Sequence, residues 1–159
     1  FVVFVGTNAS AKQVEAELSL SAVTGLVVGN VADGTLWMGS PLKLRVDWGA
    51  FLEEDRSKRW RLGIEVPLHE RVALGLRPGV DFPLTVVGQS FVLGLGLRSY
   101  LTPYTLHGGE VQLFWTPRLL ETIHLVAGGT VSAFFFGNDL PTNGALIEFQ
   151  GLAGVRLPL

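Results

Sequence analysis

The chain has 159 residues, of which 48% are hydrophobic and only 16% charged, with a formal net charge of -2, three histidines and no cysteine. That length holds one domain, residues 1–159, and its charge fraction falls well below the roughly 25% of an ordinary soluble domain. The slight acidity gives nucleic acid no basic footprint, the missing cysteines exclude disulfides and thiolate metal sites, and no apolar run reaches the ~18 residues of a membrane helix.

Residues 1–6 are apolar and precede Thr7-Asn8-Ala9-Ser10-Ala11-Lys12, so residues 1–12 read as either the remnant of a secretory signal or a docked terminal segment. From Val14 a period of two begins. Val14, Ala16, Leu18, Leu20, Ala22, Leu26 and Val28 face one way, and Glu15, Glu17, Ser19 and Ser21 the other. Asn30, Asp33 and Gly34 supply a turn. Leu36 and Met38 share the parity of Leu42, so the second strand is expected to start near Thr35 and run to Glu53. That exceeds the ~9 to 11 residues a bilayer requires, and its early part should project beyond the lipid.

The stretch from Leu42 to Leu84 carries the pattern most clearly. Leu42, Leu44, Val46, Trp48 and Ala50 alternate with Lys43, Arg45, Asp47, Gly49 and Phe51. After a polar turn, Trp60, Leu62, Ile64 and Val66 alternate with Arg59, Arg61, Gly63 and Glu65. Leu74, Leu76, Val80 and Phe82 then oppose Arg71, Ala73, Gly75, Arg77, Gly79 and Asp81, with Pro78 breaking the apolar row. Residues 85–89 read as a connection. Phe91, Leu93, Leu95 and Leu97 oppose Val92, Gly94, Gly96 and Arg98, and residues 103–109 close that strand. A sixth strand sets Val111, Leu113 and Trp115 against Glu110, Gln112 and Phe114. A seventh, over residues 122–136, sets Ile123, Leu125, Ala127, Val131, Ala133 and Phe135 against His124, Gly128, Thr130 and Ser132. After the loop at residues 137–144, an eighth sets Ile147, Phe149, Ala153, Val155 and Leu157 against Glu148, Gln150, Gly154 and Arg156. The expected fold is all-β, an antiparallel eight-stranded up-and-down barrel.

A barrel with this pattern is either soluble, with its apolar face inside, or transmembrane, with its apolar face in lipid. The polar face decides. It is rich in arginine and in glycine, at Gly63, Gly75, Gly79, Gly94, Gly96, Gly128 and Gly154. Glycine weakens a strand unless crowding demands it, and a narrow eight-stranded lumen holding long side chains demands it. The charges also match in number: Glu15, Glu17, Asp47, Glu53, Glu65, Asp81, Glu110 and Glu148 against Lys43, Arg45, Arg59, Arg61, Arg71, Arg77, Arg98 and Arg156. A dry lumen needs such pairing, because an isolated charge there is costly. The pattern therefore reads as a transmembrane β-barrel.

With these strands in place, the chain from about Val14 onward resembles the small eight-stranded bacterial outer-membrane barrels, the membrane domains of the OmpA, OmpX and OmpW type. The resemblance implies the bacterial outer membrane as location, membrane lipid as surroundings and a possible envelope protein as partner. The candidate site is the lumen charge network of Glu15, Glu17, Arg45, Asp47, Arg59, Arg61, Glu65, Arg77, Asp81, Arg98, Glu110, His124, Glu148 and Arg156. Its functional reading is an ion path. Its plainer reading, favoured here, is a salt-bridged plug, because aqueous channels belong to wider barrels.

An acyl hydrolase or transferase is the competing class. His124, Ser132 and Glu110 or Glu148 share the polar face, but His124 and Ser132 are eight residues apart on one strand, about 26 Å by strand rise. No His/Asp/Glu spacing suggests a metal, and no cofactor is expected. Trp37, Trp48, Trp60, Trp115, Tyr100 and Tyr104 read as a ligand surface or as interfacial belts. Trp60 and Trp115 near strand ends suit the belt, and Trp48 in midstrand would face acyl chains or a partner. The expectation is a non-enzymatic outer-membrane barrel, a structural element or membrane anchor of an envelope assembly. A soluble lipocalin-like carrier of a small apolar ligand is the third alternative.

Overall fold

The structure is a computed structural model that describes residues 16–31, 34–51, 56–68, 73–102, 105–140 and 144–159. Residues 1–12, read above as a signal remnant or docked segment, lie outside them, as do Glu15, Glu53, Arg71 and Tyr104. The strands are β1 (Ala16–Val31), β2 (Gly34–Phe51), β3 (Arg59–Pro67), β4 (Gly75–Val86), β5 (Gln89–Tyr100), β6 (Leu106–Trp115), a three-residue β7 (Arg118–Leu120), β8 (Ile123–Gly137) and β9 (Leu146–Pro158). Each long strand pairs antiparallel with its neighbours in chain order, β6 pairs with β8, and β9 closes onto β1. The result is a closed barrel of eight strands, with β7 a short addition beside β8.

Closure gives every wall strand a hydrogen-bonding neighbour on each side, as a strand-built structure in hydrocarbon requires. The stagger follows from the register. Starting at Glu17 and stepping through Gly49, Arg61, Gly79, Gly96, Glu110, Ser132 and Glu148, the path returns to β1 at Val27, ten residues on. Such a shear tilts the strands and leaves an interior that side chains can fill.

The faces are as the alternation requires. Leu44, Leu62, Leu95, Leu113, Val131 and Phe149 are exposed on the outer wall, while Arg45, Arg61, Glu65, Arg77, Asp81 and Arg98 are buried. The Arg face is therefore the interior and the apolar face the exterior, the reverse of a soluble carrier. With charges inside and a continuous apolar wall outside, the barrel is of the transmembrane type.

Four local features depart from the alternation. Val23 pairs with Lys43 but Gly25 with Ser40, so Pro41 and Leu42 together oppose Thr24 in a bulge. Proline has no N–H for the ladder, which makes this a natural place for one. Beyond the bulge the parity of β2 reverses: Leu36 and Met38 fall opposite Gly29 and Val27, on the inner side of the projecting ribbon rather than with Leu42. Second, residues 85–89 are not a loose connection. β4 runs to Val86, β5 starts at Gln89, and Val87 (φ 50) and Gly88 (φ 73) form a tight two-residue turn. Third, β6 begins at Leu106, so His107, Gly108 and Gly109 belong to the strand and not to a closing loop. A second bulge there leaves Phe135 without a partner on β6, and Phe135 and Phe136 both stand exposed. Fourth, the β4–β5 ladder is interrupted between Leu76 and Gly79, at Pro78.

The two rims differ. The terminal rim carries Ala16, Phe51, Arg59 and Pro158; the far rim carries Gly34, Pro67, Tyr100 and Leu146. Trp60 and Trp115 are exposed at the terminal rim, and so is Trp48, which lies three residues from the end of β2 and not in midstrand. Their place at the end of the apolar band is that of an interfacial girdle. Tyr100 belongs to neither belt nor outer surface: it is buried in the lumen.

Candidate functional site

Inward-facing positions of β2, β3 and β4 bring the basic residues together, and small neighbours make room for them. A Cβ at Gly63 would fall on the Asp47 carboxylate, and one at Gly94 would meet both Gln112 and Asp81. Alternating long side chains with glycine across the ladder lets guanidinium groups lie flat across a lumen too narrow for them otherwise.

Two clusters result. In the one nearer the far rim, Arg45 directs Nε (3.2 Å) and Nη2 (3.0 Å) at Oε2 of Glu65, and donates to Gln150 at 3.0 Å. Arg98 pairs with Glu65 and with Glu148 (2.8 Å) and donates to Ser132 at 2.9 Å and to the Tyr100 hydroxyl at 2.7 Å. Its guanidinium lies over the rings of Tyr100 and Phe134, at 5.3 and 5.6 Å. Lys43 bonds Glu148, which also accepts from Ser40, and Lys43 donates to Tyr100 at 2.9 Å. The Tyr100 hydroxyl in turn donates to Glu65 at 2.6 Å.

In the second cluster Arg77 forks onto Glu110, with Nε and Nη2 each at 2.9 Å, and reaches Asp47 at 3.2 Å and Gln112 at 3.0 Å. Arg61 joins Glu110 (2.9 Å) to Asp81 (3.1 Å), and Asp81 also accepts from Gln112 at 3.0 Å. Arg59 bridges Asp81 and Glu17. Such paired and forked geometry is what offsets the desolvation of buried ions.

Apolar groups complete the filling. Val23, Phe114, Val126 and Leu152 form one buried cluster on the side of β1, β6, β8 and β9. Ala73, Tyr100, Leu106 and Phe134 form another at the far rim, with Leu140 and Leu146 packed against it. The far rim is thus capped by apolar side chains. The terminal rim instead opens into a pocket of about 260 Å³ whose lining includes Glu17, Arg59, His124 and Arg156.

Of the residues expected in the network, Glu17, Arg45, Asp47, Arg59, Arg61, Glu65, Arg77, Asp81, Arg98, Glu110 and Glu148 lie together in these contacts. Glu15 is outside the described residues. Arg156 faces inward but makes only a distant approach to Glu17, at 3.8 Å, and His124 sits beside it at the terminal mouth. The structure does not bring His124 to Ser132: Ser132 lies between Glu110 and Glu148 on neighbouring strands and is bonded to Arg98. Sequence reasoning counted Lys43 among the charges but left Ser40, Tyr100, Gln112, Thr130, Ser132 and Gln150 out of the network. Their signal was available, since each neutral group shares the inward side of a strand with a charged one, Tyr100 with Arg98 for instance. Among the described lumen residues seven cations (Lys43, Arg45, Arg59, Arg61, Arg77, Arg98, Arg156) face six carboxylates (Glu17, Asp47, Glu65, Asp81, Glu110, Glu148), where equal numbers were expected from the whole chain.

No protein-family model matches the chain, and no curated protein sequence does. Among solved structures, the crystal structure of Neisserial surface protein A is similar, with a TM-score of 0.57 and 14% identity over 89% of this chain and 96% of that one. A structure from the de novo design of transmembrane β-barrels aligns over 87% of this chain and 95% of that one, with a TM-score of 0.45 and 11% identity. At 14% identity the first likeness is one of fold, an eight-stranded barrel of the outer-membrane type.

Proposed function

We propose that this barrel is a non-enzymatic, non-conducting element of a bacterial outer membrane, serving as a structural component or as the membrane anchor of an envelope assembly. The observation that carries the reading is the filling of the lumen. Arg45, Arg77 and Arg98 are fully buried, each held by carboxylates on other strands, and an apolar cluster caps the far rim. An ion crossing this interior has to break several charge-assisted bonds at once. The likeness to Neisserial surface protein A supports the architecture on which the reading rests.

Planar-bilayer recording tests it. The purified barrel should give no steady conductance steps, and large reproducible steps overturn the plug. Fractionation of the native cell tests the location, with the chain expected among outer-membrane proteins and not in the periplasm.

A further inference from the structure

Arg156 stands apart from the other lumen cations. It is 7% exposed, its Nε, like that of Arg98, is buried without a hydrogen bond, and among the described residues the one carboxylate within 4 Å of it, Glu17 at 3.8 Å, is already bonded by Arg59. Burying a guanidinium without a partner is costly, and each of the other lumen cations here avoids that cost through a closely placed carboxylate. Arg156 instead lines the pocket at the terminal mouth. The register adds a second feature. Arg118 on β7, His124 on β8 and Arg156 on β9 are successive Cα partners, which sets three basic residues in one row at that rim. Across the pocket lie Thr85 and Ser90, partners on β4 and β5 whose positions share the inward face.

We propose that this mouth binds a phosphate group. The guanidinium of Arg156, the imidazole of His124 and the hydroxyls of Thr85 and Ser90 offer hydrogen-bond donors from separate sides. That suits an anion with three or more oxygens better than a carboxylate with two. The pocket is larger than a bare phosphate and accommodates part of its ester. The phosphate comes either from a lipid headgroup, at the depth where Trp60 and Trp115 end the apolar wall, or from a free phosphate. Either one supplies the negative charge that the described lumen lacks.

The test uses the whole chain refolded in an uncharged maltoside detergent, with folding checked by heat-modifiable gel mobility. The 15N-labelled protein is titrated with inorganic phosphate and, separately, with dihexanoyl phosphatidic acid, following the Arg156 Nε–H resonance. A saturable shift with either probe, weakened roughly tenfold or more by Arg156→Gln and unchanged by Lys58→Gln, supports the site. Response to the lipid probe alone assigns a headgroup, and response to both assigns any accessible phosphate group, free or esterified. If Arg156→Gln does not fold, the double variant Thr85→Val/Ser90→Ala, altering two exposed positions, should weaken binding several-fold. No saturable shift with either probe, or equal affinity in the folded variants, overturns the proposal. A conductance measurement has no bearing on this outcome.

Discussion

Arg61 and its neighbours on β3 carry the energetic argument at the scale of single residues. Its guanidinium holds Asp81 and Glu110 together, so Arg61→Ala leaves two buried carboxylates short of a partner. The expected loss is about 3 to 5 kcal/mol, read from urea unfolding of the barrel in lipid vesicles. A loss below about 1 kcal/mol indicates that water reaches these groups. Leu62 and Gly63 give the complementary comparison. Leu62 is 47% exposed on the outer wall, where lipid fills the space a shortened side chain leaves, so Leu62→Ala should be mild. Gly63→Leu drives a side chain into Asp47 and the Cβ of Arg77 and should prevent folding or cost several kcal/mol. In a barrel of the opposite sense the order is inverted, because Leu62→Ala then opens a core cavity at about 2 to 5 kcal/mol.

Elements were legible in the sequence where one periodicity ran unbroken, and illegible where geometry changed without a change in composition. The strand at Arg59–Pro67 and the part of Gln89–Tyr100 from Phe91 to Leu97 follow from alternation alone, since every second residue there is large and apolar. The reversal of Leu36 and Met38 does not, because a bulge shifts parity by one residue and only Pro41 hints at it. The Val87–Gly88 turn was obscured for a different reason. Valine is a poor residue for positive φ, where its branched side chain crowds the backbone, so the sequence gives no Asn-Gly signal for a turn of this kind. That strain is removable. Val87→Asn should stabilise the barrel by about 1 kcal/mol in the same unfolding assay, and a neutral or negative effect argues against the turn geometry. The lumen network was half legible on similar grounds. Charged residues announce their face and alternation carries Gln112, Phe114 and Ser132 to the same side, but nothing in a neutral side chain announces that it bonds an arginine, and the inward Val23 and Leu152 resemble wall residues in everything but position.

At the scale of the whole molecule, the central claim is the sense of the barrel: a charged, filled interior inside an apolar wall that meets lipid. The claim unites a low charge content, arginines buried in pairs, glycines beside them and a girdle of exposed tryptophans. Trp37 stands on the projecting ribbon and is removed as Trp37→Phe, which leaves Trp48, Trp60 and Trp115, all exposed at the terminal rim and none of them in the lumen clusters. Their fluorescence therefore tests the sense of the barrel directly, in vesicles whose acyl chains carry bromine. The account predicts strong quenching by the brominated lipid, deepest for bromine near the headgroup end of the chain, and weak quenching by aqueous acrylamide. Fluorescence indifferent to brominated lipid but readily quenched by acrylamide would contradict it.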